Sequence, residues 1–361
     1  MQASDLQKLN PARLFVFLRE HIGDVVNSTA ALHCLRQRFP NAHLCVEVGE
    51  RAAEVLQNFP GIDDLWIRPV HQGLWGKLRF IQRLRRAKFD LAVILDDSAD
   101  MVLHAWLGGI PIRVGVKRKK KFQRLYTAFV PHDRSRHETL EHFRHLVELI
   151  GCDTSDYRPR LYPCPEDTRI AEAELHSAGW DGSTTLVGIN PGASREHRQW
   201  FPERFAQVCD TLSEQGIQPV ILGGPGDKRL AEKILAHCRS HPLVLTGRLT
   251  ILQIAALMPY LRLLITADSG PMHVAAAMGT RVVALYGPSD PAYTGPFGEG
   301  HVIIRHNEPC TGCTAERCVH DRECMKRISV EEVVMASLVL GKKGGAVVTT
   351  ERDRTEEGSC Y

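Results

Sequence analysis

Two doubly wound α/β domains in tandem are what this chain of 361 residues predicts, on three observations. Short apolar runs of strand length alternate with helix-period segments, a pattern that argues for parallel sheets covered on both faces. The alternation breaks once, at Tyr157–Asp167 (YRPRLYPCPED), whose prolines make it the best linker, and then restarts. Several of the strand-like runs end in Gly- or Ser-rich turns that lead straight into a helix. The expected divisions are residues 1–165, 166–328, a helix over 329–340, and a Gly/Lys then Thr/Glu/Arg-rich tail over 341–361 that reads as disordered.

The elements follow in order. Leu14–Leu18 (LFVFL) is the first strand, and Asp24–Phe39 a helix with Val25, Leu32 and Leu35 on its apolar face. His43–Val48 reads as a strand, Arg51–Phe59 as a helix, Trp75–Ala87 as a basic amphipathic helix and Asp90–Leu95 (DLAVIL) as a buried strand. Arg136–Ile150 is a helix stopped by Gly151. In the second half, Leu186–Ile189, Pro219–Leu222, Leu243–Leu245, Leu261–Thr266 and Arg281–Leu285 read as strands. Between them Pro202–Gln215, Asp227–Cys238 and Thr250–Met258 read as helices, and Ser329–Leu340 as a further one. Two such domains joined by a Pro-rich hinge are expected to leave a ligand cleft at the carboxyl ends of their strands.

Composition is that of a water-soluble globular chain, with 43% hydrophobic and 24% charged residues. No apolar run approaches the roughly 20 residues a bilayer span needs. The polar start, Met1 to Asn10, carries no secretory signal, so the expected location is the cytoplasm. Net charge is only +3, but two runs, Lys77–Lys88 and Arg113–Arg124, hold six and seven basic residues and no acid. They are either solvated faces or a surface for an acidic partner such as an anionic lipid or phosphorylated glycan. No aromatic interleaving accompanies them, so a nucleic-acid partner is not expected. Four of the eleven cysteines cluster as Cys310, Cys313, Cys318 and Cys324. Reduced thiols are the favoured reading there, because the second pair lacks the tight spacing of zinc ribbons; a structural metal is the alternative.

The densest chemistry lies in Asp268-Ser269-Gly270-Pro271-Met272-His273, directly after the strand Leu261–Thr266. A strand end, a polar turn and an Ala-rich helix make an anion site, because the first amides of the helix lack partners and the dipole favours negative charge. Pro271 suits the first helical position, and His273 lies in the first turn. Asn190–Trp200 (NPGASREHRQW) places Gly192 and Ser194 where amides and a hydroxyl can approach a phosphate, and Arg195 or Arg198 can pair with it. In the turn Gly223–Asp227, Asp227 either accepts from ribose hydroxyls or caps its helix. The turn Tyr286–Pro291 either floors the cleft or is a plain Pro/Gly turn. After the first strand, Gly23 permits a tight turn, and Asp24 is either a helix N-cap or a general base for an acceptor hydroxyl. The absence of a GxGxxG fingerprint argues against a dinucleotide-dependent oxidoreductase.

Taken together, these segments resemble the family 9 glycosyltransferases, the heptosyltransferases of the lipopolysaccharide inner core. The likeness runs from about Leu14 to Val334 and is most specific in ADSGPMHVAAAMGTRVVALYGPSDP. RLFVFLREHIGDVVNSTAAL, PGASREHRQWFPERFAQV and CTGCTAERCVHDRECM are similar to the family's opening, second-domain start and cysteine-rich end. The resemblance implies a GT-B fold and inverting transfer from ADP-heptose, with no metal or other cofactor. The acceptor it implies is an anionic, lipid-linked glycan at the inner membrane face, met by a peripheral enzyme. By the family's pattern Asp24 is the general base; Asp268, Ser269, Gly270 and His273 hold the diphosphate, with Ser194 near it. Arg198 stands where the family has a lysine or arginine that stabilises the departing phosphate. The competing expectations are an enzyme of the same fold with another nucleotide sugar or acceptor, and a non-catalytic sugar-nucleotide or glycan binder.

Overall fold

The computed structural model describes residues 3–69, 73–96, 98–117, 122–133, 139–306, 318 and 320–342. The chain divides into two compact units, residues 1–161 with 292–295, and residues 162–291 with 296–361.

The first unit is a six-stranded parallel sheet formed by β1 (Arg13–Leu18), β2 (His43–Gly49), β3 (Asp64–Arg68), β4 (Leu91–Leu95), β5 (Ile112–Lys117) and β6 (Ala128–Pro131). Its strand order is β3-β2-β1-β4-β5-β6, so the direction of winding reverses between β1 and β4. β1 is flanked on both sides, pairing Val16 with Val46 and with Val93, and five of its six residues are buried. An aromatic cluster fills one face of the sheet: Phe15 meets Phe17 edge-on at 4.6 Å and Trp66 at 5.2 Å. The helix Ile22–Arg38 is buried from Val25 to Leu32, including the polar Asn27, Ser28 and Thr29. Those three are hydrogen-bonded: Asn27 Nδ2 donates to Thr139 Oγ1 at 3.0 Å, Ser28 Oγ to the Asp24 carbonyl, and Thr29 Oγ1 accepts from the Arg160 amide.

The second unit repeats the same order. Its strands are β7 (Leu186–Asn190), β8 (Gln218–Ile221), β9 (Leu243–Val244), β10 (Leu261–Ala267), β11 (Arg281–Tyr286) and β12 (Val302–Arg305), arranged β12-β11-β10-β7-β8-β9 and all parallel. The winding therefore reverses between β7 and β10, the place where open α/β sheets bind ligands. Trp200, fully buried, donates Nε1 to the Ile328 carbonyl at 3.2 Å and meets Phe205 edge-on at 5.0 Å. This ties the loop after β7 to the helix Pro202–Glu214.

Several sequence expectations are corrected. The expected helix Arg51–Phe59 is a 3₁₀ segment, Glu50–Leu56, with Ala52, Val55 and Leu56 buried. The expected linker ends earlier than Asp167, because Pro165 opens the helix Pro165–Ser177 at a position where its missing donor costs nothing. Within the expected helix Arg136–Ile150, the described helix is Leu140–Leu149. β3, β5, β6 and β12 were not foreseen. No helix among the described residues is long and apolar enough to cross a membrane.

Candidate active site

At the β7/β10 reversal the two strand ends are laced together. Asn190, the last residue of β7, is 2% exposed and pairs in register with Thr266. Its Nδ2 lies 3.2 Å from Thr266 Oγ1, 3.1 Å from Ser269 Oγ and 3.2 Å from the Gly192 carbonyl. One amide thus fixes the start of the loop after β7 against the turn after β10. Ser269 is the N-cap of the helix Gly270–Ala277, in extended conformation, and its hydroxyl is engaged with Asn190 and Thr266 instead of capping the helix. The helix begins at Gly270, so Pro271 takes its second position, not the first as expected. His273 is 8% exposed in the fourth helical position.

Arg198 reaches across this turn: its Nη1 lies 3.1 Å from Asp268 Oδ2. Asp268 is 8% exposed, and burial pushes its carboxyl above the ordinary range against the opposing pull of Ser289 and the Arg198 guanidinium. Arg198 Nε is buried and finds no hydrogen-bond partner among the described residues. A guanidinium only partly committed to one carboxylate, on a side chain 26% exposed, retains donors for a second anion. Ser194 lies exposed on the same loop, and Glu196–Arg198 forms one 3₁₀ turn that sets the Arg198 side chain.

Asp227 is the N-cap residue of the helix Lys228–Leu235 but gives that helix no side-chain cap. Its Oδ2 accepts from the Gly224 amide at 2.9 Å, closing the turn after β8. The same carboxylate fills the space beside Gly192, where an added Cβ would stand 2.5 Å from Asp227 Oδ1. Gly223 needs its glycine too, at φ +151° with a Cβ position 2.9 Å from Asp227 Cβ. Asp227 therefore sits between the β7 and β8 loops. The turn at 287–290 packs on Met325, and Asp290 pairs with Arg305 at 3.3 Å.

In the first unit the segment after β1 leads into the helix Ile22–Arg38, whose N-cap is His21 without a side-chain cap. Gly23 is consequently inside the first helical turn, not in a tight turn before it, and Asp24 is the third helical residue, not the N-cap. Asp24 Oδ2 lies 3.5 Å from Arg19 Nη1 with its side chain 22% exposed. Gly49 buttresses this segment from β2, with a Cβ position 2.3 Å from Glu20 Cβ and 2.7 Å from Glu20 Cα.

Sequence reasoning missed a charged group at the carboxyl ends of β1 to β4. Arg68 at the end of β3 contacts Glu47 Oε2 at 3.2 Å and Asp96 Oδ2 at 3.7 Å, and donates to the Leu18 carbonyl at 3.0 Å. Glu47 is 2% exposed, and burial pushes its carboxyl up to about 7 although Arg68 opposes the shift. A glutamate inside the apolar run His43–Val48 was the available signal, since a strand residue on a covered sheet must find a partner.

Among the described residues, no group of three His, Cys, Asp or Glu is placed to hold a metal ion. Cys310 and Cys313 lie outside the described residues, as do residues 118–121 of the second basic run. Cys324 is buried and Cys318 Sγ accepts from the Arg322 amide at 3.2 Å.

Comparison with known proteins adds a family to this geometry. Residues 77–323 match the family described as glycosyltransferase family 9 (heptosyltransferase). Lipopolysaccharide heptosyltransferase 2 of Salmonella typhimurium is 27% identical over 299 residues, covering 79% of this chain and 85% of that protein. The crystal structure of the glycosyl transferase family 9 protein from Veillonella parvula superposes with a TM-score of 0.84 at 28% identity, covering 92% and 98% of the two chains. E. coli ADP-heptose LPS heptosyltransferase II shares the fold, with a TM-score of 0.74 at 22% identity over 91% of this chain and 98% of that one.

Proposed function

Because the chain belongs to glycosyltransferase family 9, we propose that it moves a heptose from ADP-heptose to a phosphorylated, lipid-linked acceptor of the lipopolysaccharide inner core. The observation that carries the donor half is the convergence of the Arg198–Asp268 pair with the N-terminus of the helix Gly270–Ala277 at the β7/β10 reversal. Diphosphate is the ligand such a place suits, since the helix amides and the partly committed Arg198 guanidinium offer donors. Relatives support the sugar and the acceptor: the E. coli structure is of an ADP-heptose enzyme, and the Salmonella relative acts on lipopolysaccharide.

In the proposed reaction Asp24 takes the proton from an acceptor hydroxyl. The hydroxyl oxygen forms its bond to the anomeric carbon from the face opposite the diphosphate. The bond from that carbon to the diphosphate oxygen breaks, and ADP leaves with the electron pair, giving inversion. Negative charge grows on the departing diphosphate, where Arg198, His273 and the helix amides oppose it, a role taken elsewhere by a divalent cation. Asp268 acts through Arg198, which it holds in place at 3.1 Å. Arg19 holds the Asp24 carboxylate in orientation between turnovers. The acceptor's lipid places the proposed enzyme at the inner face of a membrane, as a peripheral protein.

The test is a donor screen read by product mass, with ADP-heptose, ADP-mannose and UDP-sugars offered alongside a lipid-linked core acceptor. Heptosylated product from ADP-heptose is expected. Asp24→Asn should lower transfer by roughly 10²–10⁴-fold while ADP still binds. Product from another donor alone would replace the heptose assignment. ADP binding without any transfer would leave a binding protein, and no ADP binding in the wild type would end the reading.

A further inference from the structure

The helix Leu74–Ala87 has one face that packs and one that does not. Leu84 is buried, and Phe80 and Ala87 pack beside it on the aromatic cluster of the first unit. On the other side Trp75 is 78% and Leu74 72% exposed, with Leu78 at 43%. Trp75, Arg79, Gln82 and Arg86 recur at helical spacing and so form one outward line. The helix holds no acidic residue. Beside this line Trp75, Leu78 and Ile81 enclose with Leu107 an open groove of about 400 Å³, edged by Arg79 and Arg85. Trp106, the neighbour of Leu107, is itself 49% exposed.

Exposed Trp and Leu flanked by arginines, with no acid among them, are the pattern of a helix that lies in a membrane interface. The arginine stems cover apolar surface while their heads stay at the level of lipid phosphates, and an indole ring settles at the same depth. Charge complementarity selects the occupant: an anionic lipid surface answers the unbroken positive charge, whereas a second copy of this helix would set arginines against arginines.

We propose that this face, led by Trp75 and flanked by Arg79 and Arg86, docks the protein onto an anionic phospholipid bilayer. The inference deepens the transferase reading and rests on it, since a lipid-linked acceptor is what brings such an enzyme to a bilayer. Docking here presents the first unit, which carries Asp24, to substrates anchored in that surface. It also assigns the first basic run of the sequence to lipid headgroups.

The test uses the full chain and vesicles that contain no glycan acceptor, so it is independent of transfer. The wild type should co-sediment with phosphatidylglycerol-containing vesicles and not with pure phosphatidylcholine vesicles. Each basic residue at such a surface is worth about fivefold in partition, so Arg79→Glu with Arg86→Glu should weaken binding by at least about 25-fold. Brominated lipids should quench the wild-type tryptophan emission, and Trp75→Ser should lose most of that quenching. Both variants should keep the wild-type near-UV circular dichroism and urea midpoint, which confirms the folding of the first unit, and should bind ADP as the wild type does. Equal binding to both vesicle types, or unchanged binding by the double variant, would overturn the proposal. So would vesicle binding that is absent while Trp75→Ser turns a dimer into a monomer. Failure of ADP binding in the wild type would instead count against the transferase reading and leave the vesicle result to be judged alone.

Discussion

Replacing Glu47 by glutamine is expected to make the chain increasingly more stable than the wild type as pH rises. Glu47 is 2% exposed on β2, and its carboxyl is pushed up from 4.5 to about 7, first by burial, with Asp96 adding to the shift and Arg68 opposing it. A carboxyl raised in the folded state binds its proton more tightly there than in the unfolded chain. The stability it contributes is therefore complete below about pH 4.5 and lost as pH climbs through about 7. Each pH step between those two values is worth about 1.36 kcal/mol, so ionisation costs the fold about 1 kcal/mol at about pH 5.5 and about 3 kcal/mol at about pH 8. Glutamine keeps the shape and cannot ionise, so its advantage should grow by about 2 kcal/mol over that interval. Any pH-independent effect of changing the side chain cancels in the difference. Urea unfolding of both proteins at the two pH values measures it, with exchange protection of the β1 and β2 amides identifying the transition of the first unit. A difference that stays flat, or one that shrinks toward alkaline pH, would refute the account of a glutamate held against burial.

The remaining predictions concern the loops. Arg198→Ala removes the partner of Asp268 and the proposed anion donor, and should lower kcat by about 10²–10³-fold in a steady-state assay while Arg198→Lys recovers part of the loss. Gly192→Val forces a side chain into the Asp227 carboxylate, and should weaken ADP binding in calorimetry and lower stability by about 1–3 kcal/mol. Gly49→Val meets the Glu20 backbone and should lower turnover through the Arg19–Asp24 segment, with ADP affinity unchanged. Trp200→Ala opens the core under the Arg198 loop and should cost about 3–5 kcal/mol in thermal or urea unfolding.

The strands easiest to read were those buried on both faces. LFVFL in β1 and LLI at 263–265 in β10 are apolar without a break because both faces of each central strand are covered there. β3 has only Trp66 buried, β5 is interrupted by Arg113, and β6 ends in proline; such flanks carry a weaker signal because solvent reaches them. The site shows the same division. Asp268 through His273 is contiguous, so its turn-and-helix chemistry could be read from spacing alone. The Arg198–Asp268 and Asn190–Thr266 contacts join residues 70 and 76 positions apart, and the Glu47–Arg68–Asp96 group spans three strand ends. Strand order creates those neighbours, and no local pattern announces strand order. Asp24 illustrates the converse: its position near the helix start was legible, but its pairing with Arg19 and its place past the cap were not.

The short helix Pro291–Thr294 bears on how the two units could be exchanged between relatives. Residues 292–295 belong to the first unit although the chain on either side of them belongs to the second. There Tyr293 OH meets His132 Nε2 at 2.8 Å, and His132 stacks on His142 with ring centres 4.7 Å apart. A chimera spliced once near Leu161 would therefore carry a foreign tyrosine against a resident histidine. A proteolytic nick in the proline-rich connection would cut one of three covalent passages between the units and leave the other two intact. Grafting a new first unit onto this second unit calls for three splices, with the four-residue visit travelling alongside the N-terminal sheet.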